Sequence, residues 1–504
     1  MGLLLRVNQM VLPFLMRTAM IWLMGVEYLG LNSLFTSILH ILNLAELGVG
    51  SAMVFSMYRP IAEDDEVAIC SLLRLYRKYY RLIGLAVAGL GIALMPALPR
   101  LISGELPPEL NIYVLYLLNL GATVLTYWLF AYKSCLLQAH QRTDVISQIS
   151  VIMGTLQAVL QFAVLLLTRN YYWYVIVAMA TQVLNNIVTA VVASRMYPRY
   201  KPVGQLAQEQ TKTINGRIRD LFTAKLGSVV LSSADTVVIS AFLGLTVLAV
   251  YQNYFFIVTS VISVLQIMLQ SVMAGLGNSF ITETREKNYR DFQKFTFLYL
   301  WLVGVCACCF LGLYQPFMEI WVGSDLMLTF SAVICFVVYF FVYTLNRLLN
   351  VYKDAAGLWH EDRFRPLVTS LTNLALNLLW VRRWGIYGVL LSTVVSVIVV
   401  GMPWLLRNVF TLFFDRKQLR SYVLQLLCHG LVTAVAGALV CLLCSWVTLG
   451  PWATLVVCAL ISVCVPNIVF LVTLSRSAQF RPGVQFVDRL TKGHLRLERR
   501  LFPK

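Results

Sequence analysis

The chain has 504 residues, of which 59% are hydrophobic and only 12% are charged, and its mean hydropathy is +0.76. A soluble domain carries about 25% charged residues, so this composition excludes a soluble multidomain enzyme, a disordered chain and a nucleic-acid-binding protein. The formal net charge of +17 comes from 40 Lys and Arg against 23 Asp and Glu. In a membrane protein such an excess marks the loops that face the cytosol, so the positions of the basic residues decide its meaning.

Fourteen apolar segments are long enough to cross a bilayer, which takes about 20 residues in a helix. Their approximate ranges are 3–24, 29–57, 80–101, 111–135, 145–168, 171–194, 221–243, 247–275, 296–320, 326–351, 366–382, 385–412, 419–446 and 451–474. The segment 366–382 is the least apolar of them. The pattern predicts an all-α polytopic membrane protein with about 14 transmembrane helices.

The basic residues sort strongly to one side of these predicted spans. With the N-terminus in the cytosol, 33 of the 40 Lys and Arg residues fall in cytosolic segments or at the cytosolic ends of helices. The four in external loops are Arg100, Arg169, Arg382 and Arg383. Because this bias sets the orientation of a membrane protein, both termini are predicted to be cytosolic. The external loops are short, which argues against a membrane enzyme with a catalytic loop outside.

Two stretches of the chain share one layout. Each begins with Leu-Gly-Leu, at 29–31 and 243–245, and continues through a long helix into a charged turn. Repeats of equal orientation imply two halves related by an axis along the membrane normal. The predicted organisation is an N-terminal six-helix bundle at 1–194, a cytosolic linker at 195–220, a C-terminal six-helix bundle at 221–412, two additional transmembrane helices at 413–474 and a basic cytosolic tail at 475–504.

Polar residues form stripes at helical spacing in six of the spans. A polar stripe on a spanning helix faces protein or water rather than lipid. The stripes include Asn32, Thr36, His40, Asn43 and Glu46 in span two, Tyr116, Asn119, Thr123 and Tyr127 in span four, Gln252, Thr259, Ser263, Gln266 and Gln270 in span eight, and Tyr339, Tyr343, Asn346 and Asn350 in span ten. One stripe alone is typical of helix–helix contacts, whereas six favour a shared hydrated cavity.

Five ionisable residues lie inside the predicted spans: Arg17, Glu46, Lys225, Asp235 and Arg347. Each costs about 2.5–3.5 kcal/mol at the membrane centre, so each is a functional-site hypothesis. A cavity with three cations would attract a phosphate or diphosphate, for which Arg offers a forked donor. Other roles stay open at this stage. Arg17 could pair with Glu46, Lys225 could extend to the interface, and the two carboxylates could carry coupled protons or sodium ions.

The candidate headgroup-binding residues are therefore Arg17, Lys225, Arg347, His40, Asn43, Gln266 and Asn346. Glu46 and Asp235 are the candidate ion-coupling residues. The five histidines show no metal-ligand spacing, and the eleven cysteines are expected to be packing residues. No metal and no other cofactor is expected. The cytosolic segments contain no GxxxxGK[ST] loop, so no ATP site is expected, and the driving energy would come from an ion gradient or from consumption of the product.

Two parts of the sequence resemble Wzx-type polysaccharide flippases. The first is GVEYLGLNSLFT at 25–36, followed by LAELGVGSA at 44–52 and LYRKYY at 75–80. The second is KLGSVVLSSADTVVISAFLGL at 225–245. The resemblance extends over roughly residues 1–475. It implies the fold of the multidrug/oligosaccharidyl-lipid/polysaccharide exporter superfamily, with two six-helix bundles around a central cavity and two extra helices.

The same resemblance implies a flippase that moves polyprenyl-diphosphate-linked oligosaccharide units across the bacterial cytoplasmic membrane for surface polysaccharide biosynthesis. Related lipid II flippases use a cationic cavity, for which Arg17 matches the first-helix position, with Lys225 and Arg347 as counterparts in the second half. The implied partners are the lipid-linked oligosaccharide, membrane lipids, a polysaccharide polymerase and glycosyltransferases, with no nucleic acid. A cation-coupled multidrug antiporter of the same superfamily is the alternative.

Overall fold

The computed structural model describes residues 2–46, 48–103 and 106–490, and these residues form helices joined by short loops, with no β-strand among them. The predicted all-α class is therefore confirmed. The contacts divide the chain into two compact units. The first unit contains residues 1–252 and 366–385, and the second contains residues 253–365 and 386–504. The last part of the predicted basic tail, 491–504, and Glu105 of a predicted external loop lie outside the described residues.

The first unit is built from ten helices and the first turns of an eleventh among its described residues. In chain order they are α1 (Gly2–Leu23), α2 (Val26–Leu42), α3 (Val49–Ala62), α4 (Glu66–Leu94), α5 (Ile112–Trp128), α6 (Ser134–Ala139), α7 (Thr143–Thr168), α8 (Tyr171–Met196), α9 (Gln208–Leu243), the start of α10 (Leu245–Thr282) and, further along the chain, α14 (Arg365–Trp384). The predicted second span is broken into α2 and α3 by a short 3-10 turn and by Gly48, whose φ of 90° favours glycine.

The second unit holds the rest of α10 and the remaining helices. These are α11 (Arg285–Val322), α12 (Phe330–Ala355), α13 (Trp359–Asp362), α15 (Ile386–Ser396), α16 (Met402–Asn408), α17 (Arg416–Ser445), α18 (Pro451–Leu474) and α19 (Phe480–Leu490). Helix α11 packs against α12, α17 and α18. Glycines allow this close packing, since a Cβ on Gly312 would lie 2.2 Å from Ser462 Oγ. The two C-terminal spans are therefore integrated into the second unit.

Among the described residues, nine helices are long and apolar enough to cross a membrane, and the bent pair of α5 and its continuation to Ala139 makes a tenth. Each of the fourteen predicted segments coincides with a helix or a broken helix. Among the segments outside the ten, α2 and the stretch Ser233–Leu243 of α9 are apolar but shorter than a full span, and α14 is less apolar. The chain is a multi-pass membrane protein. Its predicted boundaries at 194, 220 and 412 stay predictions, and α9 begins within the segment 195–220.

Candidate functional site

Glu46 lies in the 3-10 turn between α2 and α3, where tyrosines surround its carboxylate. The Tyr80 hydroxyl donates a hydrogen bond to Glu46 Oε1, and Tyr127 donates to Oε2 at 2.9 Å. The hydroxyl of Tyr76 donates in turn to that of Tyr80, at 2.8 Å. Both carboxylate oxygens are thus bonded to neutral donors from α4 and α5. Arg17, the partner considered for Glu46 from the sequence, is not among the hydrogen-bond partners of this carboxylate in the described part of the chain.

Asp235 lies on α9 and faces two asparagines of α14. Its Oδ1 accepts a hydrogen bond of 2.6 Å from Asn377 Nδ2, and Asn377 also contacts Asn373 Oδ1 at 3.3 Å. Asp235 is 8% exposed and both asparagines are fully buried. The Asn377 amide solvates a buried carboxylate that would otherwise be very costly. Asp235 therefore joins the least apolar predicted span to α9 within the first unit.

A glycine of α9 allows this approach of α14. A Cβ placed on Gly227 would lie 2.4 Å from the carbonyl carbon of Pro366 and 2.6 Å from the nitrogen of Leu367. Both contacts are to backbone, which cannot move aside as a side chain can. We therefore expect Gly227→Ala to lower the free energy of unfolding by about 1–3 kcal/mol, as overpacking does. The matched control is Gly216→Ala on the same helix, where no atom lies within 4 Å of the new methyl group.

Thermal unfolding of the two purified variants checks this prediction. The control should be unchanged or slightly stabilised, because alanine favours helix over glycine. An equal melting temperature for Gly227→Ala and Gly216→Ala would contradict the close contact between α9 and α14.

Two further polar residues connect α9 with the broken second span. Lys225 Nζ donates to Ser51 Oγ at 3.2 Å, and His40 Nδ1 lies 3.1 Å from Ser233 Oγ. Lys225 and Asp235 are ten residues apart on one helix, about 15 Å, so they cannot pair with each other. Their hydrogen-bond partners Ser51 and Asn377 lie on α3 and α14. The structure thus places Lys225, His40, Asp235 and Glu46 in the first unit.

Arg17 lies in the middle of α1, which packs against α7, and it is partly buried. Its guanidinium is an electrostatic neighbour of the Tyr174 hydroxyl on α8. Asn43, in the same turn as Glu46, has a buried Oδ1 with no hydrogen-bond partner among the described residues. An unsatisfied buried acceptor costs about 1–3 kcal/mol, so this amide oxygen is suited to receive a donor from a ligand.

Arg347 is an exposed cation on α12 of the second unit. Its guanidinium lies 4.9 Å from the centre of the Tyr343 ring and donates a hydrogen bond to the Tyr343 hydroxyl. Within the part of the chain that the structure describes, no carboxylate forms an ion pair with it. A planar cation held against an aromatic ring keeps most of its donors available. The Arg347 guanidinium is therefore available to bind an anion.

The other basic residues near the end of α12 are neutralised. Asp362 accepts hydrogen bonds of 2.6 and 2.7 Å from Arg365 and lies 3.4 Å from Lys353. Lys353 also pairs with Asp354 at 2.6 Å. Two cations and two carboxylates thus form a closed cluster, in contrast with Arg347, one to two turns earlier on the helix.

The two remaining predicted residues also belong to the second unit. Asn346 has a buried Oδ1 without a hydrogen-bond partner among the described residues. Gln266 on α10 is half-buried. The nine predicted site residues therefore divide between the units, six in the first and three in the second. Their assembly into one cavity stays a prediction.

Several important residues were not singled out from the sequence. Tyr80 stands at the very start of the predicted span 80–101, and Asn373 and Asn377 lie in the least apolar predicted span, 366–382. The two asparagines are four residues apart and so share one helix face, which was a usable signal. Asp362 and Arg365 were placed in a loop, and no local pattern marks their pairing.

Charged and polar residues inside the spans of an all-α multi-pass protein are typical of membrane transporters. No protein-family model matches the chain, and no curated protein matches it. Solved structures do match. The lipid II flippase MurJ in an inward closed conformation has a TM-score of 0.70 at 16% identity, over 94% of this chain and 98% of that chain.

An inward-facing multidrug resistance transporter of the MATE family, in the MOP superfamily, matches with a TM-score of 0.62 at 14% identity, over 83% of this chain and 98% of that one. A MOP superfamily transporter from Pyrococcus furiosus, described by a reversed polarity of its binding pocket, has a TM-score of 0.50 at 14% identity, over 80% and 93% of the two chains. These likenesses show that the protein has the fold of MOP superfamily transporters.

Proposed function

We propose that this protein is a Wzx-type flippase that moves polyprenyl-diphosphate-linked oligosaccharide units from the cytosolic to the outer leaflet by alternating access. The observation that carries the proposal is Arg347, a guanidinium inside a span that is stacked on Tyr343 and paired with no carboxylate among the described residues. Such a group binds a diphosphate by forked, charge-assisted hydrogen bonds. Arg17 and Lys225 are the proposed cations of the first unit.

Neutral acceptors suit the sugar part of such a substrate. The amide oxygens of Asn43 and Asn346 are buried and have no partner among the described residues. A sugar hydroxyl would satisfy each of them and so remove the cost of leaving it unpaired. His40 and Gln266 are the further proposed headgroup contacts. The proposed function is the binding and transport of a substrate, with no catalytic step.

The extent of the fold likeness also supports a lipid-linked substrate. The match to the lipid II flippase covers 94% of this chain. The residues left uncovered are fewer than α17 and α18 contain together, so the match includes at least part of these two helices. The match to the multidrug transporter covers 83% of it. The proposed location is the cytoplasmic membrane, with both termini cytosolic and with glycosyltransferases and a polymerase acting before and after the flippase.

Deletion of the gene in its host tests the proposal. We expect lipid-linked oligosaccharide to accumulate in the inner leaflet and surface polysaccharide to fall to background, with restoration by the wild-type gene. Leaflet position is measured by accessibility of the sugar to an added lectin in intact and in opened spheroplasts. Accumulation in the outer leaflet would place the defect after flipping and contradict the proposal.

The multidrug antiporter remains the second candidate because the first unit holds two carboxylates, Glu46 and Asp235, inside its spans. Carboxylates of this kind can carry coupled protons or sodium ions in either transporter. The same deletion strain distinguishes the two functions. Increased sensitivity to cationic drugs with normal surface polysaccharide would favour the antiporter.

A further inference from the structure

Four basic residues form one stripe on the first half of α4: Arg74, Arg77, Lys78 and Arg81. Their spacing of three, four and seven residues puts them on a single helix face. Together with Leu82 they line a groove of about 250 Å³. No acidic residue lines this groove, and none of the four cations forms an ion pair among the described residues. The positive charge of the stripe is therefore available to a ligand.

The groove lies where the basic first half of α4 is followed by its apolar second half. Leu82 is 53% exposed and Leu85 is 61% exposed, and they begin the apolar part of the helix. At the same level, the exposed Trp128 donates its indole N–H to the carbonyl oxygen of Arg81 at 3.3 Å. Tryptophan is enriched at the membrane–water interface, where lipid phosphates lie. The four cations are therefore at the depth of a lipid headgroup.

A neighbouring loop holds one of these side chains in place. Arg74 Nη1 donates a hydrogen bond to the carbonyl oxygen of Gly204 at 2.7 Å. Gly204 has a φ of 88°, and a Cβ there would lie 2.5 Å from Ser71 Oγ, so the loop approaches α4 closely. Positioned guanidinium groups lose less freedom when they bind phosphate than mobile ones do.

We propose that this groove binds the headgroup of an anionic phospholipid. Forked Arg donors and a Lys point charge match a phosphodiester, and Leu82 supplies an apolar wall for the carbons next to it. The volume of the groove is smaller than that of a typical drug-sized site, so it fits one phosphate headgroup rather than a diphosphate with an oligosaccharide. The site is separate from the proposed transport residues and does not depend on the transported substrate.

Lipid titration of the purified full-length protein in detergent, followed by native mass spectrometry, tests the proposal. The lipids are phosphatidylglycerol, zwitterionic phosphatidylcholine and a polyprenyl diphosphate, with inorganic phosphate as a competitor. The groove variant is Arg74→Gln/Arg77→Gln/Lys78→Gln/Arg81→Gln. The matched control removes the same number of charges from the start of α11, as Arg285→Gln/Lys287→Gln/Arg290→Gln/Lys294→Gln.

The wild type and the control should bind phosphatidylglycerol in preference to phosphatidylcholine, and the groove variant should bind it at least about tenfold more weakly. Binding to the wild type should also weaken as NaCl is raised, a result that does not depend on the folding of any variant. Should the groove variant fold poorly, Lys78→Gln alone, at an exposed position, should still weaken phosphatidylglycerol binding measurably.

Four results would overturn the proposal. They are unchanged phosphatidylglycerol binding in the groove variant, equal binding of phosphatidylcholine, an equal loss in the control, and displacement of the lipid by millimolar inorganic phosphate. A loss confined to the polyprenyl diphosphate would reassign the groove to the transported lipid, and it would leave the proposed flippase function intact.

Discussion

Replacing Asp362 with alanine is expected to lower the free energy of unfolding by about 3–5 kcal/mol. Asp362 is 3% exposed and holds Arg365 by two hydrogen bonds of 2.6 and 2.7 Å. Without this carboxylate the Arg365 guanidinium, itself 5% exposed, loses the ion pair and the two hydrogen bonds that Asp362 provides while it stays buried. Thermal unfolding of the purified protein in detergent measures the effect.

Two control variants separate this mechanism from a general loss of charge. Glu63→Ala breaks the exposed pair of Arg59 and Glu63 and should change the melting temperature little, since water solvates both groups. Asp362→Ala/Arg365→Met removes the carboxylate and the guanidinium together and should recover part of the stability. A double variant that is less stable than Asp362→Ala would show that the ion pair is not the source of the effect.

Replacing Arg347 with alanine is expected to reduce the export of surface polysaccharide by about 10- to 100-fold, because a charge-assisted hydrogen bond is worth roughly 1.5–3 kcal/mol. The protein should remain in the membrane at normal abundance, since Arg347 is exposed and forms no ion pair within the described part of the chain. Arg347→Lys should retain part of the activity, because the ammonium keeps the charge without the planar fork. Complementation of the deletion strain measures export, and immunoblotting measures abundance.

Arg363→Ala is the matched control for this experiment. Arg363 is also exposed and also stacks on an aromatic ring, with its guanidinium 4.7 Å from the centre of the Phe364 ring, but it follows the end of α13 rather than lying in a span. Its replacement should leave export unchanged. Normal export in Arg347→Ala would remove Arg347 from the proposed binding site, and equal losses in both variants would indicate a general effect of surface charge.

The helical class and the spans could be predicted from the sequence because they depend on local properties. A helix that crosses a bilayer needs a long apolar segment, so each span is recognisable as a continuous stretch of the sequence. Thirteen of the predicted segments are strongly apolar. The fourteenth, 366–382, looked weak because its asparagines are polar, and the structure explains them, since Asn377 bonds Asp235 on α9.

The partners of the embedded residues were decided by tertiary structure. The cost of a buried charge showed that Glu46 and Asp235 needed partners, but not which ones. Tyr80 and Tyr127 lie 34 and 81 residues from Glu46 along the chain, and Asn377 lies 142 residues from Asp235. Such contacts depend on which helices pack together, and a hydrophobic pattern does not specify a neighbour.

The basic residues behind the net charge of +17 also show which properties follow from the sequence and which depend on the tertiary structure. Their distribution along the chain predicts an orientation, because the rule concerns only which loop holds each Lys or Arg. Only the folded chain distinguishes Arg365, which is neutralised by Asp362, from Arg347, which is stacked on Tyr343, and from the four cations that line the groove on α4. The physical reason is that the energy of a charge depends on the groups within a few ångströms of it, and folding brings those groups from distant parts of the chain.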